Sequence, residues 1–205
     1  VKSDLALEQV QVLRAGLDAL RHELDALYPI LNDHPSLEDR LASTGMLPVA
    51  IAARLGTLGY VGKASGQDLD LRRDNPYPPY DQLTVRVPLF ESGDVAARLK
   101  VRAEEVLVSL GLLEVLLGTL PDGPVRAAWQ VPEPGAEGLG LVEGWRGEIL
   151  SYVRFAADNR IARFFPRDPS WFNWPALEQL VLGNIVPDFP VCNKSVNGSY
   201  SGHDL

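Results

Sequence analysis

Cysteine is almost absent: of 205 residues, only Cys192 carries a thiol. That excludes an internal disulfide and any metal site built from several thiolates of this chain, and it agrees with a reducing compartment. Basic runs are absent as well. The 19 Lys and Arg stand against 27 Asp and Glu, a net charge of -8, whereas a nucleic-acid groove needs a clustered excess of positive charge. No apolar run approaches the roughly 20 residues of a membrane-spanning helix. The longest, Val106 to Leu120, is interrupted by Ser109, Glu114 and Thr119, so no direct membrane span is expected. The apolar block of a signal peptide is lacking too, since Lys2, Asp4 and Glu8 punctuate the first residues. With no initiating Met and a helical pattern already under way, the chain is expected to be a fragment of a longer one. Internal repeats and low-complexity segments are also missing. What is present is a globular composition, 46% hydrophobic, enough to form the core of one domain or of two small lobes.

Apolar residues recur after Ser3, an N-cap type, at Leu5, Val12, Leu13, Leu17, Leu20, Leu24, Leu27 and Leu31, which predicts one face of a long helix. Pro35 to Ser43 and Pro48 to Leu55 read as short helices opened by proline. From Gly56 to Tyr80 the glycines and Pro76, Pro78 and Pro79 predict a long irregular passage, a kind of segment that is usually functional. Leu83 to Val87 alternates as a strand does, and Asp94 to Gly118 has helical spacing, ending at Pro121-Asp122-Gly123-Pro124. Beyond Gly138 the texture changes to three short strand-like runs, Leu139 to Val142, Glu148 to Phe155 and Arg160 to Phe165, with Ala157-Asp158-Asn159 as a turn. Pro175 to Leu182 then predicts one short helix before a polar tail. The expected fold class is α+β: a helical bundle with two long helices over residues 1–128, and a small, largely antiparallel β section with a short helix and tail over 129–205.

Three groups of residues carry chemistry. Arg72-Arg73-Asp74 on the glycine-rich passage either positions an anionic group or clamps the loop to the core through bidentate pairs. Arg98, Arg102, Glu104 and Glu105 form a ladder at helical spacing, expected to be at least partly buried between the two long helices. Glu143-Gly144-Trp145-Arg146-Gly147-Glu148 is either an ordinary hairpin turn or a tight turn that projects Arg146 into a cleft.

These residues, in order, resemble one family. Thr44-Gly45-Met46-Leu47-Pro48, Ala64-Ser65-Gly66, Asp70 to Tyr77, Gly93-Asp94, Arg102 to Glu105, Leu120 to Pro124, Glu143 to Glu148, Arg167-Asp168-Pro169-Ser170 with Asn173 to Leu177, and Asp188 are similar to the pattern of one group of large subunits. The group comprises the complex-I-related, membrane-bound nickel-iron hydrogenases, such as formate hydrogenlyase, and the hydrogenase-like subunit of complex I. The resemblance spans nearly the whole chain and implies the C-terminal portion of a large subunit. It also implies an iron-sulfur small subunit and further subunits of a membrane-associated redox complex as partners, and a cytoplasmic location peripheral to the membrane.

In the hydrogenases of this family, the last motif reads Asp-Pro-Cys-x-x-Cys-x-Asp and supplies two thiolates to nickel and iron. Counted from Asp188, Ser199 and Gly202 fall where those cysteines belong, so no standard metal site is expected and no cofactor bound by this chain. Cys192 reads as a small buried hydrophobe and His203 as a residue of the polar tail. Complex I also lacks these cysteines, and by resemblance its vacated cleft receives a quinone. The resemblance thus leaves three readings: a metal-free subunit of a redox complex, a quinone-reactive subunit, or a redox-inert scaffold. Its candidate cleft residues are Arg72, Arg73, Asp74, Arg146, Glu148, Asp188, Tyr200, His203 and Asp204. The tail from Asn193 onward is expected to fold back toward Arg146 and the Asp74 loop. There Asp204 and the chain-end carboxylate would face Arg146, and Tyr200 would fill the metals' volume.

Overall fold

A computed structural model describes residues 4–121, 123–128 and 130–204. Among these, nine α-helices and one three-stranded antiparallel sheet form an α+β fold. The two long helices are α1 (Leu7–Asn32) and α6 (Val95–Gly118). Asp94 opens α6: its carboxylate accepts the Ala97 N–H at 2.8 Å and the Ser43 N–H at 2.9 Å, so one cap also fastens the preceding chain. Ser3, expected to cap α1, lies outside the described residues. The Ala6 N–H at that end donates to Gln9 Oε1 at 2.8 Å.

The core gathers around α6. The short helices α3 (Val49–Leu55) and α4 (Gly59–Lys63) bring Ala52, Tyr60 and Val61 to it, α7 (Ser170–Leu180) brings Leu177 and Leu180, and α8 (Phe189–Val196) brings Cys192 and Val196. Helix α2 (Pro35–Leu41) joins α1 to α6 at one end, α5 (Leu71–Asp74) lies on the sheet, and α9 (Tyr200–His203) closes the chain against α7. The sheet is a meander of β1 (Glu137–Gly144), β2 (Gly147–Phe155) and β3 (Ile161–Arg167). Gly144 pairs with Gly147 and Glu143 with Glu148, which leaves Trp145-Arg146 as a two-residue turn.

Several expectations are corrected. Leu83 to Val87 is extended but joins no sheet among the described residues. Its alternation reflects the burial of Val85, and Pro88 removes a ladder donor. The passage from Gly56 to Tyr80 holds two helices, α4 and α5, which are too short to register as periodicity. Helix α7 begins at Ser170, whose N–H donates to Asp168 Oδ1 at 2.8 Å, and carries Pro175 inside it. The polar tail is helical, as α8 and α9.

On α1 the buried line runs through Val10 and Leu17 and continues, half-buried, at Leu24, Tyr28 and Leu31. Val12, Leu13, Leu20 and Leu27, predicted on the same face, are exposed. The apolar face is wider than the strip a single neighbouring helix covers. Leu17→Ala is therefore expected to cost about 2–4 kcal/mol and Leu20→Ala under about 1 kcal/mol, measured by chemical denaturation. Equal losses at both positions would contradict this packing.

Candidate functional site

The β1–β2 turn docks on the first turn of α4 with almost nothing between them. A Cβ on Gly59 would stand 2.3 Å from the Arg146 carbonyl carbon, and one on Gly147 would stand 2.5 Å from Leu58 Cβ. Both glycines have positive φ, 56° and 122°, so neither position accepts a side chain on steric or backbone grounds. Asn173 secures the junction by accepting the Leu58 N–H at 3.0 Å and donating to the Arg146 carbonyl at 3.3 Å. The turn thereby lays Trp145 against Tyr60, ring centres 5.0 Å apart, with the Arg102 guanidinium 4.7 Å over the indole. Burial pushes the Tyr60 phenol up to about 12 against the opposing charge of Arg102, and its hydroxyl donates to the Val196 carbonyl.

Arg146 points at the tail. Its Nε donates to the Asn197 carbonyl at 2.6 Å, in the turn between α8 and α9. The two indoles of α7 hold the rest of the tail: Trp171 Nε1 donates to the Gly202 carbonyl at 2.8 Å and Trp174 Nε1 to the Ser199 carbonyl at 3.3 Å. The tail does fold back onto Arg146, but through a backbone carbonyl. Asp204 is exposed and makes no ion pair among the described residues, and Leu205 with its carboxylate lies outside them. Tyr200 is 68% exposed and fills no cavity. Its ring lies 4.9 Å from Trp174 and its hydroxyl accepts from Asn193 Nδ2 at 3.1 Å. His203, also exposed, stands edge-on to Trp171 and Trp174 at 6.4 Å.

Ser199 and Gly202, which the resemblance sets at the cysteine positions, are engaged in local packing. Ser199 Oγ accepts the Gly202 N–H at 3.0 Å and so caps α9. Gly202 is pressed against Asp168: a Cβ there would lie 2.7 Å from the carboxylate carbon. A side chain at 202 would have to displace the Asp168 carboxylate, which accepts the Ser170 N–H at 2.8 Å. Cys192 is fully buried, and burial pushes its thiol up despite the opposing charge of Arg98. Among the described residues, no group of three or more His, Cys, Asp and Glu is arranged to hold a metal ion.

A buried charge cluster at the junction of α4, α5, α6 and β1 was not predicted. Lys63, 2% exposed in its side chain, donates to Asp70 Oδ2 at 2.8 Å and to Glu105 Oε1 at 2.6 Å, and Glu143 Oε1 lies 3.8 Å from the same ammonium. Arg72 closes on Asp70 with Nε to Oδ1 at 2.9 Å and Nη2 to Oδ2 at 2.7 Å. Burial raises the Asp70 pKa, but the hydrogen bonds and charges of Arg72 and Lys63 outweigh it and hold the carboxyl at about 2. Burial works against the Lys63 ammonium, and Glu105 and Asp70 overcome that and raise it. Glu143 has less support. Burial pushes it up to about 7, Lys63 pulls the other way, and Asp70 pushes with burial.

The remaining predicted residues are dispersed. Arg73 pairs with Asp68 and Asp74 at the surface, and the hydrogen bonds from Arg73 lower the Asp74 pKa. Glu148 pairs with Arg167, and Asp188 with Arg40. The ladder on α6 is not a ladder either, because each member turns to a different element. Glu104 meets Arg86, Glu105 meets Lys63, and Arg102 lies over Trp145. Arg98 is fully buried on the side away from α1, where it donates to Ser195 Oγ at 2.9 Å and to the Gly93 and Gly45 carbonyls at 2.7 and 2.9 Å. With no carboxylate in ion-pair range among the described residues, burial pulls its pKa down to about 10.

Comparison with known proteins places this architecture. The family described as "Respiratory-chain NADH dehydrogenase, 49 Kd subunit" matches residues 1–132. The chain belongs to the 49 kDa subunit family. It is 34% identical to the carbon monoxide-induced hydrogenase of Rhodospirillum rubrum over 96% of this chain and 55% of that protein. It is 30% identical to formate hydrogenlyase subunit 5 of Escherichia coli over 100% of this chain and 36% of that protein. Its fold matches a chain of the membrane-bound sulfane sulfur reductase, an archaeal respiratory membrane complex, with a TM-score of 0.88, 26% identity and coverage of 98% of this chain and 56% of that one. The chain thus spans between about a third and just over half of the length of these relatives.

The charge cluster of this 49 kDa-type chain had one legible trace, a lysine inside Tyr60-Val61-Gly62-Lys63-Ala64, where apolar and small neighbours leave no reason for a surface charge. Arg98→Ala, which empties a fully buried guanidinium site and takes the Arg98 donor from the Gly45 carbonyl, is expected to cost about 3–5 kcal/mol, as is Lys63→Met, which strands buried carboxylates. Arg102→Ala is expected to cost about 1–2 kcal/mol. Thermal and chemical denaturation of the three variants checks the order, and an Arg102 variant as damaged as the other two would contradict it.

Proposed function

We propose that this chain serves in a hydrogenase-like subunit of a multisubunit, membrane-associated redox complex, and that it carries no standard nickel-iron centre. The family supports the first half of this reading, since the relatives include a hydrogenase and a formate hydrogenlyase subunit, and the related structure belongs to a respiratory membrane complex. The observation that carries the second half is that neither Ser199 nor Gly202, at the places of the two cysteines, offers a thiolate, and that a Cβ at 202 would press on the Asp168 carboxylate at 2.7 Å. A serine hydroxyl engaged as a helix cap is no substitute for the first. The residues present do not fit the nickel-iron group, and no step of the chemistry passes through it here.

Within such a complex the chain's part is structural and electrostatic. It packs beside an iron-sulfur subunit, peripheral to the cytoplasmic face of the membrane; among the described residues no helix is long and apolar enough to cross it. The exposed apolar residues of α1, Leu13, Leu20 and Leu27, support a further covering surface in the assembly. Arg146 and the tail close the region that holds metal in the hydrogenases.

Affinity purification of the tagged protein from native membranes tests the proposal. The expected result is co-purification of an iron-sulfur subunit that shows reducible clusters and is released from the membrane with its partners. Recovery of the protein alone, without iron-sulfur clusters, would contradict it, and quinone-dependent oxidation that requires this chain's Arg146 would favour a quinone-reactive subunit instead.

A further inference from the structure

Glu143 occupies a position that no other residue shares. It stands next to the last residue of β1 with its side chain 6% exposed, and two cavities meet at it. The larger, about 360 Å³, runs between α1, α6 and the β1–β2 turn and is bordered by Leu17, Arg102, Glu105 and Val106. The smaller, about 110 Å³, lies on the α5 side and is bordered by Leu69, Asp70, Asp74 and Glu148. Of the residues lining the two, Glu143 alone lines both.

The neighbouring charges single it out further. Lys63 on α4 and Arg72 on α5 carry two positive charges, and Asp70 and Glu105 carry two negative ones, all joined directly or through Lys63 by contacts of 2.9 Å or less. That set is balanced without Glu143. Lys63 spends its short contacts on Asp70 and Glu105 and stands off at 3.8 Å from Glu143, whose other oxygen accepts only the Leu71 N–H at 3.1 Å. Arg102 on α6 borders the larger cavity and Glu148 on β2 the smaller, and Tyr77 adjoins the Glu143 backbone. A proton on Glu143 makes the cluster neutral; its loss leaves one buried negative charge.

We propose that Glu143 is a proton-carrying residue, which binds a proton arriving through the α1–α6 cavity and releases it to the cavity at Asp70 and Glu148, or the reverse. The step is a proton transfer alone: an O–H bond forms at the free oxygen Oε1 and the same bond breaks on release. Lys63 keeps its protons throughout, because Asp70 and Glu105 hold them, and Asp70 stays ionised down to about pH 2. Glu143 is left as the group of this cluster that changes charge near neutral pH.

Infrared titration of the carboxyl stretch in the folded chain tests this, with Glu143→Gln as the neutral isostere and Glu143→Asp as a variant that keeps a carboxyl. The expected result is one carboxyl proton lost with a midpoint of about 7, absent in Glu143→Gln and retained at a shifted midpoint in Glu143→Asp. Because the folded-state pKa exceeds the ordinary 4.5, the folded form holds the proton more tightly. Stability should therefore fall as pH rises from 4.5 to about 7 and stay low above it, and Glu143→Gln should lose that fall. Access is read by hydrogen-deuterium exchange of the carboxyl proton. Val106→Trp and Leu69→Trp, each narrowing one cavity, should leave exchange fast singly and slow it together. A near-neutral titration that persists in Glu143→Gln, no such titration in the parent, or fast exchange in the double variant would overturn the proposal.

Discussion

Between the β1–β2 turn and the opening of α4 two backbones meet with no side chain separating them, and the positions of the site's groups follow from that contact. Gly59 and Gly147 each lack the atom that would hold the two elements apart. The hairpin consequently sits deep enough for Arg146 to reach the Asn197 carbonyl, for Trp145 to cover Tyr60, and for Glu143 to enter the charge cluster around Lys63. A turn held one methyl further out would leave Lys63 with two carboxylates and the tail without its arginine. Small residues at such junctions are the local cost of bringing a sheet against helices at this range.

The energetics of the cluster are those of a satisfied buried network. Each charge alone would be costly in a dry interior, and the pairing of Lys63 and Arg72 with Asp70 and Glu105 offsets that cost through short, directional bonds. Arg98 shows a second solution, a buried guanidinium satisfied by a hydroxyl and two carbonyls. It ties α6 to the chain at Gly45 and to α8 at once, so three segments distant in sequence share one donor group. Both arrangements fix where helices sit more than they add to net stability.

Much of this was legible in advance. Long amphipathic periodicity gave α1 and α6, and alternation broken by a glycine-flanked dipeptide gave the β1–β2 hairpin with Trp145-Arg146 at its turn. Short helices did not register: α4, α5 and α9 have four or five residues, less than two turns, so neither periodicity nor caps distinguish them from loops. The ladder on α6 misled because helical spacing says which residues share a face and not what stands opposite. Lys63, Asp70 and Glu143 are separated by up to 80 positions, and only the folded chain puts them within one cluster. The fate of the tail was half legible. It folds back onto Arg146 as expected, but its anchors are the indoles of Trp171 and Trp174, whose role no spacing pattern marks.

The tail is where the proposed difference from the hydrogenases lies. In it Ser199 caps α9 and Gly202 lies against the Asp168 carboxylate, within a fold of the 49 kDa type. The most direct test is the nickel and iron content of the assembled subunit after expression with a complete hydrogenase maturation system, measured for the parent and for Ser199→Cys with Gly202→Cys. The account predicts no stoichiometric nickel in either protein and a loss of stability in the double variant, because a side chain at 202 displaces Asp168 from its cap. One nickel per chain in the parent would contradict it.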